Sequence, residues 1–142
     1  MKVLVSTERP EVFKAKVSVS SCIIRCEDKI LFIRNAGAWK GKWSLPGGIA
    51  EGDESPMQTL IREVSEELDL QISGQRFLRR LFLTNPSYGD YEINYFEVLF
   101  NTKPDIRLSD EHLESGWFSC EDYSKLDLIP GVKDSLQMVI YE

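Results

Sequence analysis

Cysteine is scarce and histidine nearly absent: Cys22, Cys26 and Cys120 are the three cysteines and His112 the one histidine in 142 residues. An odd count with no CxxC pair excludes a disulfide framework and a zinc ribbon, and it suits a reducing compartment, so the cytoplasm is the expected location. No apolar run approaches the roughly 18 residues that span a bilayer, so no membrane partner is expected. Residues 1–10 lack the basic start and apolar stretch of a secretory signal. Basic residues are also short, 17 Lys and Arg against 23 Asp and Glu, for a net charge of −6. Such a surface repels polyanions, which excludes a duplex nucleic acid reader that works by neutralising phosphates. A phosphate-bearing ligand would need a local reversal of sign, and a bound divalent cation is the usual device.

What is present is ordinary for a globular domain: 42% apolar and 28% charged residues, in a length that suits one domain spanning 1–142. Residues 16–26 read as a strand, turned by Glu27-Asp28-Lys29 into a second strand at 30–34. Residues 35–48 read as a loop holding Gly37, Gly41, Pro46, Gly47 and Gly48. Residues 75–84 and 92–100 read as further strands around a turn-rich stretch at 85–90. A short strand at 117–119 and a helical turn at 121–126 follow. Pro130 opens a terminal helix with Val132, Leu136, Val139 and Ile140 on one stripe.

The best-defined element is a helix after Glu54. Ser55 is a suitable N-cap, Pro56 suits the first helical position, and Gln58 completes a capping box. Met57, Leu60, Ile61, Val64 and Leu68 recur at helical spacing and form the expected buried stripe. The opposite face carries Arg62, Glu63, Glu66 and Glu67. Carboxylates three and four residues apart are neighbours, and each like-charged pair costs roughly 0.2–0.5 kcal/mol. Glu66 and Glu67 also meet the negative end of the helix dipole. A solvated acidic face is one reading of this pattern. The other is a metal site: Ser44-Leu45-Pro46-Gly47-Gly48 lets backbone approach the helix, and carboxylates with a loop carbonyl suit magnesium or manganese.

Gly48, Glu54 and the run Arg62-Glu63-Val64-Ser65-Glu66-Glu67-Leu68-Asp69-Leu70 resemble the Nudix box, GX5EX7REUXEEXGU with U a bulky aliphatic. All fixed positions match except Asp69, where the pattern has a helix-ending glycine. Aspartate tolerates the left-handed conformation expected there better than most residues. Trp43-Ser44-Leu45-Pro46-Gly47-Gly48 and the segment Glu111-His112-Leu113-Glu114-Ser115-Gly116-Trp117-Phe118 are similar to the family as well.

The resemblance implies an α/β fold, an α/β/α sandwich around a mixed sheet, and metal-dependent cleavage of a nucleoside diphosphate linked to another group. It implies that Glu63, Glu66 and Glu67 are metal-binding and base carboxylates, with Glu66 assigned as base ahead of Glu63. Gly48 would add a carbonyl ligand, and Glu54 and Arg62 would orient the cluster. The expected cofactor is Mg2+ or Mn2+. The expected partner is a small-molecule nucleotide, bound by a monomer or homodimer.

A nucleoside triphosphate, including an oxidised one, is the first substrate reading, and a nucleotide sugar or dinucleoside polyphosphate the second. Pro86 after Asn85 loosely resembles the Ser-Pro-Gly turn of the ADP-ribose branch. A catalytically silent nucleotide or RNA sensor is the third reading, disfavoured by the intact acids.

Around this centre, Arg34, Lys40 and Lys42 are candidates for holding phosphates or are ordinary surface charge. Trp39 and Trp43 are candidates for stacking on a base, with packing under the loop the preferred reading of Trp43. Tyr88 and Tyr91 are candidates for lining a substrate pocket. Glu111 or Glu114 is a late metal ligand or a solvated acid, with Glu111 preferred. His112 reads as a surface residue, and Cys22 and Cys26 as small core residues on one strand face.

Overall fold

A computed structural model describes residues 3–86 and 89–140. The elements in chain order are β1 (Leu4–Ser6), β2 (Ala15–Cys26), β3 (Lys29–Asn35), β4 (Trp43–Ser44), β5 (Gly47–Ile49), α1 (Pro56–Leu68), β6 (Arg76–Asn85), β7 (Gly89–Phe100), β8 (His112–Ser119), α2 (Cys120–Tyr123) and α3 (Val132–Ile140). The strands form one mixed sheet of order β1-β6-β7-β2-β3-β4, with β5 pairing β2 and β8 pairing β3. The β2–β7 pair is parallel, and the other pairs are antiparallel.

Strand alternation divides the core into two layers. Cys22, Ile24, Leu31, Ile33, Phe96 and Val98 face α1 and pack on Leu60, Val64 and Leu68. Ile23, Ile30, Phe32, Leu81, Ile93 and Tyr95 face the other way, toward Tyr123 and Leu136. The result is the expected α/β/α sandwich. Cys22 is fully buried, and burial pushes its thiol up to about 12, so it behaves as a small apolar residue.

The α1 N-terminus forms as read. Ser55 Oγ accepts from the Gln58 amide, and the Ser55 amide donates to Gln58 Oε1. At the other end Asp69 takes the left-handed conformation (φ 53°, ψ 43°) and its N–H donates to Ser65 O, the geometry a helix-ending glycine would adopt.

Three expectations are corrected. Ile61 is exposed and not part of the buried stripe; the apolar arc is narrower, and Ile61 stands at its margin. The loop at 35–48 contains two short strands, because Trp43–Ser44 pairs with β3 and Gly47–Ile49 with β2. The strand expected at 117–119 begins five residues earlier. Residues 30–33 of β3 are buried and need hydrogen-bonded neighbours on both sides, and β8 supplies one of them through Leu31↔Trp117 and Ile33↔Ser115. The early part of β8 carries exposed Leu113, Glu114 and Ser115, which hides its strand character from a pattern search. Tyr91 lies within β7, while Tyr88 is outside the described residues.

Candidate active site

Three elements converge on the last two turns of α1. The first is β5. Its Gly47 and Gly48 pair with Ser21 and Ser20 of β2, which fixes a backbone that side chains could not share. A Cβ at Gly47 would lie 2.0 Å from Ser20 O, and one at Gly48 would lie 2.3 Å from Glu63 Cδ. The helix carboxylate therefore rests directly against the loop backbone. The Gly47 amide also donates to Glu67 Oε1 at 2.8 Å.

The second is the segment before β8. The Arg107 amide donates to Leu68 O (2.9 Å) and the Ser109 amide to Glu67 O (3.0 Å), satisfying carbonyls that the helix end leaves orphaned. This docking carries Glu111 and His112 to Glu67. The His112 side chain is 4% exposed, with Nε2 3.3 Å from Glu67 Oε2. Sequence reasoning set His112 aside as a surface residue, which the structure corrects. Its only sequence signal was adjacency to Glu111 in the acidic segment. Asn35, Gly37, Ala38, Glu67, Glu111 and His112 line a cavity of about 320 Å³ at this point.

The third element is Arg62 itself. Nε and Nη2 fork onto Glu54 at 2.7 and 2.9 Å, Nη1 donates to Glu63 (2.9 Å) and Glu66 (3.2 Å), and Nη2 also donates to Ile49 O (3.1 Å). All five guanidinium N–H donors are thereby used. Glu54 in turn accepts from the Glu51 amide at 2.8 Å. Hydrogen bonding from Arg62 holds the Glu54 carboxyl down to about 2.

The carboxylates differ in environment. Glu66 is 59% exposed, the Glu63 side chain 16%, and Glu67 6%. Burial raises Glu63 despite the opposing pull of Arg62. Burial pushes Glu67 up to about 8 against the opposing Gly47 hydrogen bond, and the charges of Glu63, Glu111 and Glu66 push it the same way. Burial also lowers His112, holding it toward its neutral form. The groups meeting Glu67 thus bring no full positive charge. Among the described residues, no three His, Cys, Asp or Glu side chains converge as a preformed metal-binding group; the acids are instead drawn onto Arg62, the Gly47 amide and His112.

The remaining candidates are placed as follows. Arg34 Nε donates to Gly41 O at 3.2 Å, and the side chain lies 3.6 Å from Glu114. Lys42 pairs with Asp127 at 2.8 Å, and Lys40 is exposed. Trp43 packs edge-on against Phe118 with ring centroids 5.3 Å apart, the packing alternative of its two readings. Trp39 and Tyr91 line a separate groove with Ile49.

The NUDIX domain model matches residues 14–139. A MutT-like protein of Streptomyces ambofaciens is 41% identical over 112 residues, covering 77% of this chain and 67% of that protein. The crystal structure of the MutT protein from Methanosarcina mazei superposes with a TM-score of 0.76 at 25% identity, covering 89% of this chain and 94% of that one. A bifunctional NMN adenylyltransferase/ADP-ribose pyrophosphatase from Francisella tularensis, complexed with AMP and a manganese ion, superposes with a TM-score of 0.74 at 20% identity. That match covers 92% of this chain and 42% of the larger enzyme, so this chain spans less than half of it. With the domain model matched over most of its length, the chain belongs to the Nudix hydrolase family.

Proposed function

We propose that this chain hydrolyses a pyrophosphate bond in a nucleoside triphosphate or a related nucleoside diphosphate linked to another group, with Mg2+ or Mn2+ as cofactor. The observation that carries the reading is the meeting of β5 with the helix acids: the Gly48 backbone rests against the Glu63 carboxylate, and the Gly47 amide donates to buried Glu67 at 2.8 Å. A protein interior tolerates a buried charge when it is paired or coordinates a metal, and here the protein supplies like charges instead. Although here the acids are drawn onto Arg62, the Gly47 amide and His112, carboxylate and carbonyl oxygens are the hard donors that suit a hard divalent cation.

Glu63, Glu66, Glu67 and the Gly48 carbonyl would hold it. When bound, it neutralises diphosphate charge and makes a water molecule more acidic. Within the chain, Arg62 fixes Glu63 and Glu66 relative to β5, and Glu54 fixes Arg62. Glu66 is the most open of the three helix acids, which supports reading it as the base that takes the proton from the attacking water. The water oxygen then bonds to phosphorus, the bridging P–O bond breaks, and the departing phosphate takes its electron pair. Arg34 and Lys40 border the loop where distal phosphates would pass, and Glu111 stands across the cavity from Glu67. The AMP and manganese in the Francisella complex support the ligand class.

The test is a panel of nucleoside triphosphates, nucleotide sugars and dinucleoside polyphosphates, with Mg2+, Mn2+ or chelator, and products identified by mass. Chelator-sensitive release of pyrophosphate or a nucleoside monophosphate is expected. A folded, metal-loaded protein that turns over no member of the panel sinks the reading in favour of a nucleotide sensor.

A further inference from the structure

The proposed reaction leaves His112 without a task, yet its side chain is 4% exposed and Nε2 lies 3.3 Å from Glu67 Oε2. We infer that His112 is a positioning residue: it presets the Glu67 carboxylate for a divalent cation by donating from Nε2, and the Ser109 hydroxyl holds its ring in the tautomer that can do so. The inference rests on the metal-dependent reading above and adds to it the residues that orient one of the proposed ligands.

The first observation is a bulge. β8 pairs with β3 in regular antiparallel register from Lys29↔Ser119 to Arg34↔Glu114, and then Asn35 pairs with His112. Leu113 is therefore an extra residue on β8, which makes a β-bulge, and bulges re-aim side chains beside active sites. Unbroken register would set Leu113 against Asn35. Instead Leu113 is exposed, and His112 joins Asn35 in lining the cavity shared with Glu67 and Glu111. The Ala36 amide donates to Glu111 O (2.9 Å) and the His112 amide to Ser109 O (3.2 Å), which fixes the backbone that carries the ring.

The second observation is a directed chain of polar contacts. A carboxylate that ligates a metal is ionised and can only accept hydrogen bonds. Glu67 Oε1 accepts from the Gly47 amide at 2.8 Å, so a proton on His112 Nε2 fixes the second oxygen as the amide fixes the first. Each oxygen has two lone pairs, and one on each remains for a cation. A neutral imidazole that donates at Nε2 accepts at Nδ1. Ser109 Oγ stands 3.5 Å from Nδ1 and accepts from the Glu111 amide at 3.4 Å, which leaves its hydroxyl proton for the ring. The chain thus runs in one direction, from the Glu111 amide through Ser109 and His112 to Glu67, and bonds aligned in this way strengthen one another. The Ser109 amide, donating to Glu67 O at 3.0 Å, ties the same segment to the residue it serves. Outer partners of this kind hold metal-ligating side chains in place.

The test measures manganese and magnesium affinity by calorimetry for wild type, His112→Leu, His112→Gln and Ser109→Ala, with melting curves in chelator beside them. His112→Leu is expected to weaken cation binding about tenfold, the lower end of the usual effect of losing such a partner. His112→Gln keeps an N–H donor at a similar reach and should recover most of the loss. Ser109→Ala keeps the ring and the main-chain docking, and should weaken binding by less than His112→Leu does. In the magnesium-loaded wild type, nitrogen NMR spectra of the ring should place the proton on Nε2, and Ser109→Ala should bring in the other tautomer.

A His112→Gln variant that binds no better than His112→Leu would show a packing residue and overturn the inference, whatever the melting curves do. A ring proton on Nδ1 in the magnesium-loaded protein, or a Ser109→Ala variant matching wild type in both affinity and spectrum, overturns it as well. Should His112→Leu fail to fold, the glutamine and alanine variants and the ring spectrum still decide. Wild-type cation binding that His112→Leu leaves unchanged removes only the positioning role and leaves the hydrolase reading standing. A wild type that binds neither cation removes the metal reading and this inference with it.

Discussion

Glu67 and His112 close on each other at 3.3 Å, and through this contact the last turn of α1 is fastened to the start of β8. The Gly47 amide holds the other Glu67 oxygen. One buried carboxylate thus joins three segments that are remote in sequence, and its protonation is coupled to folding.

Burial pushes the Glu67 carboxyl up to about 8, above the roughly 4.3 of an unfolded glutamate. The folded state therefore holds this proton more tightly than the unfolded one. The resulting stability is complete below about pH 4.3 and is lost as pH rises through about 8. His112 acts in the opposite sense, since burial lowers its pKa, so the informative quantity is the difference between two proteins. Thermal melts in chelator at pH 5 and pH 8 should show wild type losing more stability than Glu67→Gln, by an amount on the order of a few kcal/mol. Magnesium or manganese should raise the wild-type midpoint at pH 8 and leave the variant nearly unchanged. Parallel pH profiles for the two proteins would mean that Glu67 ionises freely.

The two glycines of β5 should fail differently. At Gly47 the backbone has φ +151° and a new Cβ meets Ser20 O, which is backbone and cannot yield. Gly47→Ala is expected to destabilise the fold by more than the roughly 1–3 kcal/mol typical of overpacking. At Gly48 the atoms nearest a new Cβ all belong to the Glu63 carboxylate, the end of a flexible side chain. Gly48→Ala should melt close to wild type, yet weaken divalent-cation binding as Glu63 is pushed aside. Calorimetry and melting curves on both variants separate the outcomes, and a common melting loss for the pair would remove the distinction.

The parts of the site that were legible in the sequence are those on one helix. Ser55, Gln58, Arg62, Glu63, Glu66 and Glu67 have fixed relative positions once α1 is assigned, so their spacing already describes a surface. The fold's two layers were implied by the resemblance alone, since Cys22, Ile23 and Ile24 are all apolar and show no alternation along β2. His112 was not legible, because its burial depends on Arg107 and Ser109 docking on α1 carbonyls, a long-range event with no local pattern. The two tryptophans separate as the sequence reading allowed. Trp43 finds Phe118 across the sheet, while the turn around Gly41 turns Trp39 to the groove. Residues 112–116 concealed a strand because Leu113, Glu114 and Ser115 are exposed in succession, which leaves no alternation to read.

Arg62 should tolerate no cation of another shape. Its guanidinium spends every N–H, forking on Glu54 and reaching Glu63, Glu66 and the Ile49 carbonyl. Lysine would keep the charge but offers three donors from one point and cannot make the fork. Arg62→Lys is expected to lower turnover roughly 10- to 100-fold, the usual effect of losing a residue that orients metal-binding side chains. Glu54 gives the matching control. Arg62 holds the Glu54 carboxyl down to about 2, below the unfolded value, so its contribution is present above about pH 4.3 and lost as pH falls toward 2. Melts between pH 5 and pH 2.5 should therefore show a steeper acid decline for wild type than for Glu54→Gln, and Arg62→Lys should fall between them. If Arg62→Lys kept both the full acid decline and full turnover, the guanidinium would be acting as a charge alone and the five-donor geometry would have no functional part.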